Sequence, residues 1–130
     1  MKTCVEFESD LFKPFLSDEA QVNPGCYGAE LAWWLCENLA LVGVDTSYPD
    51  FEDWGWFIEY GHDENEYWLC CGNVDGSPGH WRIFLDPKAR GLFGRNKAPA
   101  AGAQPLLEAL DKLLGGNVDI RNVAWSEDYA

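Results

Sequence analysis

Two adjacent cysteines, Cys70 and Cys71, and two histidines, His62 and His80, are the side chains of this chain best suited to covalent or acid–base chemistry. Each lacks the neighbour such chemistry needs. A cysteine becomes nucleophilic when a basic group lowers its pKa, and no basic residue flanks Cys70 or Cys71. On a strand the two thiols also point to opposite faces. His62 stands beside Asp63 in a turn-rich stretch, and His80 opens a strand near Arg82. Asp53 and Glu59 share a strand face, but the strand rise sets them about 20 Å apart, too far for a glycosidase pair. Asp63-Glu64-Asn65-Glu66 lacks the alternating spacing of a calcium loop. Five cysteines with no CxxC, and only two histidines, do not compose a zinc cluster. The expectation is no catalytic residue, no cofactor and no metal. A small Cys- or His-dependent enzyme is the last alternative.

The charge is far more informative. Up to Trp68 there are fifteen Asp and Glu against Lys2 and Lys13, and beyond it seven acids against seven bases. The net charge is −13. From Tyr48 to Trp68, 21 residues hold seven acids, eight aromatics and no Lys or Arg. Acid this dense repels itself and costs stability, so a basic protein partner, or a second copy, is expected to meet it. The same charge excludes nucleic acid and anionic lipid as ligands. Seven Trp and 47% apolar residues exclude a disordered acidic tail. Odd cysteines, no apolar signal core at the N-terminus and no apolar run of about 18 residues predict a reduced, cytoplasmic protein without a membrane span.

The elements that must position these residues follow from periodicity. Length predicts one domain over residues 1–130. Thr3 to Glu8 alternates as a strand, and Asn23-Pro24-Gly25 opens a helix over Tyr27 to Val42. Val44 to Tyr48 reads as a short strand. Asp53 to Tyr60, Glu66 to Gly72 and His80 to Asp86 read as an antiparallel meander. Pro87 to Gly102 reads as a long flexible basic loop. Pro105 to Leu114 is a second helix, and Asn117 to Trp125 a last strand. The predicted fold is α+β, with two helices on a mostly antiparallel sheet of five to six strands, in the order β-α-β-β-β-β-α-β. The expected sheet centre is Trp54, Trp56, Ile58, Leu69, Trp81, Ile83 and Leu85, packed on Leu31, Leu35 and Leu39.

Two surfaces remain as candidates. Trp34 and Leu41 fall near Glu30 and Glu37 on the helix wheel. With Asp50, Glu52, Asp53, Glu59, Asp63, Glu64 and Glu66 they form the expected partner-binding surface, suited to an inhibitor or immunity-type protein. On the other sheet face Phe57, Trp68, Cys70 and Phe84 are too apolar for water. The second helix is expected to pack there, or else this face binds a small molecule or sugar.

Overall fold

The computed structural model describes residues 1–90 and 97–127, and for 89 and 90 the backbone alone. Six strands form one sheet in the spatial order β2-β3-β4-β5-β1-β6, and every neighbouring pair is antiparallel. The strands are β1 (Cys4–Ser9), β2 (Asp50–Glu52), β3 (Gly55–His62), β4 (Asn65–Asn73), β5 (His80–Arg90) and β6 (Ile120–Ser126). Helix α1 (Ala29–Leu41) lies between β1 and β2 in sequence, and α2 (Gln104–Gly115) between β5 and β6. The α+β class and element order match the sequence expectation.

Period-two alternation builds one face of the core. Val5, Phe7, Ile58, Tyr67, Leu69, Cys71, Trp81, Ile83 and Leu85 all point to the same side and are buried. Leu31, Leu35 and Leu39 of α1, and Leu106, Leu110 and Leu114 of α2, pack on them in one cluster. Both helices therefore cover the same face. The expected packing of the second helix on the Phe57 and Trp68 side is overturned. Val42, the last residue of the expected helix, lies just past the helix end and is exposed.

Ser9 closes the β1 end of this core and is fully buried. Its Oγ donates to the Asp119 carbonyl at 2.8 Å and accepts from the Leu11 amide at 3.1 Å. Its own carbonyl accepts from Trp81 Nε1 at 3.2 Å. Just beyond, Phe12 plugs the core edge-on against Phe7, Trp34 and Trp81. At the opposite corner Tyr67 donates its hydroxyl to the Pro99 carbonyl at 2.5 Å. A Cβ on Gly102 would come within 2.2 Å of that hydroxyl, so the site admits only glycine without movement.

Three segments differ most from the expectation. Residues 44–49 are not a strand, and the short strand is Asp50–Glu52. Strand β5 continues through Pro87 to Arg90 instead of ending at Asp86. Proline is tolerated because the Leu85 amide bonds Thr3, so the missing donor two residues on would point past the start of β1. The remainder of the expected basic loop, 91–96, lies outside the described residues, and Ala100–Ala103 is a short 3-10 turn. Among the described residues no helix is long and apolar enough to cross a membrane.

The two sheet edges are β2 and β6. The first is three residues long with outward acids. The second is irregular, with a register shift against β1 and Asn122 in the left-handed region at φ 55°.

Candidate binding face

Neither helix covers the second face of the sheet, and its side chains follow from the register. Asp50, Phe57, Cys70, Phe84 and Cys4 stand in one row across β2, β3, β4, β5 and β1. Glu59, Trp68 and Asp86 make the row above it. Gly72, Arg82 and Glu6 make the row below. Glu66 and Glu52 share this face by the same alternation. Four of the acids predicted for a partner, Asp50, Glu52, Glu59 and Glu66, thus share one surface with the apolar residues predicted for a ligand. Strands β2, β3 and β4 contribute no Lys or Arg to it.

The aromatic centre is tightly organised. Trp68 lies flat on Phe57, with centroids 3.7 Å apart and planes 7° from parallel. Trp54 reaches over from the β2–β3 turn to Phe57 at 6.4 Å and Phe84 at 6.2 Å. Covered from both sides, Phe57 is only 4% exposed. Lys88 sets its ammonium 4.1 Å above the Trp68 ring and 2.7 Å from Asp86. Arg82 and His80 both meet Glu6, at 3.4 and 3.1 Å. Between these groups is a cleft of about 370 Å³, lined by Trp54, Trp68, Phe84, Arg82, Asp86 and Lys88. Arg82 Nε is buried beside it with no hydrogen-bond partner among the described residues.

Trp54 is therefore not part of the sheet centre; it is 46% exposed on the uncovered face. The Asp53–Trp54 turn breaks the alternation that starts again at Gly55. Trp56 is half-buried and packs on the core, as expected.

The other predicted contact residues are scattered. Asp53 sits in the β2–β3 turn, and Asp63 and Glu64 form the β3–β4 turn with φ of 49° and 65°. Leu41 is 82% exposed, but on α1, behind the sheet. Trp34 is half-buried under Phe12, and its neighbour Trp33 is the exposed ring, 45% accessible. Trp33 lies three residues after Glu30 and four before Glu37, the mirror of the Trp34 spacing, so no signal in the sequence separates the two. Lys88 was missed as a lining residue because Pro87 hid the continuing strand, whereas Arg82 and Asp86 lay on the expected strand and were not singled out for this face.

The geometry buries both Cys70 and Cys71. Cys26, Cys36, Cys70 and Cys71 are free thiols. Burial, with Asp86 adding to it, pushes Cys70 up to about 12, and burial pushes Cys71 up in the same direction. A thiol held that way is not a thiolate near neutral pH. Among the described residues no three His, Cys, Asp or Glu side chains converge as metal ligands. Comparison with known proteins finds no family model, no curated protein and no solved structure that matches this chain.

Proposed function

We propose that this chain is a non-enzymatic acidic binding protein that engages a basic protein partner, as an inhibitor or immunity-type protein does, through the uncovered face of its sheet. One observation carries the reading. Asp50, Glu52, Glu59 and Glu66 line up around Trp54 and Trp68 on a face that neither helix covers. Rigid aromatic rings at the centre with charge at the rim are the composition of a protein interface. Carboxylates on β2, β3 and β4, strands that carry no Lys or Arg, steer a basic partner toward that centre. The test needs a purified partner and stopped-flow association. The rate should fall steeply between low salt and about 0.5 M, as the Debye length shrinks from roughly 10 Å at 0.1 M. Reversing Asp50, Glu52 and Glu59 to Lys should slow association at least about tenfold while melting barely moves. An unchanged rate at low salt in that variant refutes the reading.

The cleft beside Trp54 supports a second reading, a small hydroxyl-rich ligand such as a sugar stacked on the indoles. Asp86 and Arg82 would then supply an acceptor and a donor. Calorimetric binding of a sugar that Trp54→Ala abolishes, with no basic partner found, would favour it.

A further inference from the structure

Behind the sheet, a second cleft opens between residues 15–22, the start of α1, and strands β2 and β3. It holds about 660 Å³ and is lined chiefly by Phe15, Leu16, Glu30, Trp33, Phe51 and Trp56. Four of these are aromatic, and Glu30 is the one charged residue among the described lining residues. Phe51 and Trp56 touch at 5.3 Å, and Trp33 leans on Tyr48 at 5.7 Å, so the rings form connected walls. Two polar atoms here are out of the reach of water and have no hydrogen-bond partner among the described residues: Glu30 Oε1 and Trp56 Nε1. Polar atoms left in that condition cost stability until something compensates them.

We infer that this cleft binds an ammonium ion carried on an apolar body. The site is distinct from the uncovered sheet face and does not depend on that face having a protein partner. Three features select the same ligand. Ring faces present negative quadrupoles and attract a cation. A carboxylate among rings sits in a low dielectric, where a counter-charge is worth more than in water. The apolar remainder of the wall pays off only for a ligand with hydrocarbon to bury. An anion meets repulsion from both the carboxylate and the rings. A neutral isostere gains the apolar contact alone. The volume lies within the roughly 300–1,000 Å³ of small-molecule sites.

Isothermal titration of the full chain with phenethylamine, 2-phenylethanol and phenylacetate tests this, because the three share a body and differ in charge. Phenethylamine should bind about tenfold tighter than the alcohol, and phenylacetate weakest. Glu30→Gln should bring the amine down to the alcohol without weakening the alcohol. Trp33→Ala should weaken both. Trp54→Ala, on the other face, should change neither. Circular dichroism of each variant establishes that it is folded. Equal affinity for amine and alcohol in the unmodified protein overturns the inference, as does no detectable binding of the amine. A Glu30→Gln variant that keeps the preference, or a Trp54→Ala variant that loses it, overturns it equally.

Discussion

Replacing Ser9 by Ala removes one oxygen, yet it is expected to cost more than most truncations of that size. Ser9 is fully buried, and its Oγ makes two hydrogen bonds, one donated to the Asp119 carbonyl and one accepted from the Leu11 amide. Alanine leaves both partners in place with nothing to bond. Each buried group left unsatisfied costs about 1–3 kcal/mol, and water can replace part of that where the backbone gives. The expected loss is therefore about 2–4 kcal/mol, against a total of about 5–15 kcal/mol for a domain. At this length it lowers Tm by about 10 °C. Urea unfolding followed by fluorescence measures it, with an unchanged m-value as the check that only stability moved. Thr3→Val is the matched control, since its Oγ1 bond to the Glu127 carbonyl at 3.3 Å is exposed; it should cost under about 0.5 kcal/mol. If Ser9→Ala costs no more than Thr3→Val, the view of Ser9 as the clamp between β1, β6 and the segment leading to Phe12 is wrong.

Three further outcomes are expected. At pH 8 a thiol reagent should titrate the half-buried Cys26 and Cys36 quickly, and Cys4, Cys70 and Cys71 only after denaturation; early loss of five thiols contradicts the burial argument. Stability should fall as pH rises from about 9 toward 12, because the folded Cys70 stays protonated up to about 12 while the unfolded thiol ionises near 9. The contribution is complete below pH 9, its slope reaches about 1.4 kcal/mol per pH unit per thiol, and Cys70→Ala should flatten it in an alkaline melting series. Gly102→Ala should cost about 1–3 kcal/mol by driving the Tyr67 hydroxyl off Pro99; Tyr67→Phe in the same background should then add little, as a double-mutant cycle in urea would show.

Much of the core could be read directly from alternation. Val5, Phe7, Leu69, Trp81, Ile83 and Leu85 obey the period of two, and burial on one face follows. Alternation failed at Trp54, where a tight turn reset the phase, and at Pro87, where a proline looked like an ending but had no donor to lose. The helix wheel could not separate Trp33 from Trp34, because what decides between them is Phe12, a loop residue far off in sequence that covers only one. The acids were legible as a composition, but their alignment with Trp68 required the strand pairing. That register is set by turns whose lengths single-residue preferences do not fix. The cleft with Glu30 and Trp56 is assembled from four separate segments, and no local pattern announces it.

A sheet this apolar, with unpaired backbone at both margins, invites copies of itself to add on as further strands. Its edges withhold the template. Strand β2 offers three residues and meets any incoming copy with Asp50 and Glu52, which repel the same acids on the newcomer. Strand β6 bends at Asn122, which is tied to Glu8, so its outer amides do not run straight enough to seed a fibril. The charge on the β2 margin thus has a second use at high concentration, keeping chains dispersed, and neutralising Asp50 and Glu52 would expose that edge to self-templating before it altered the fold.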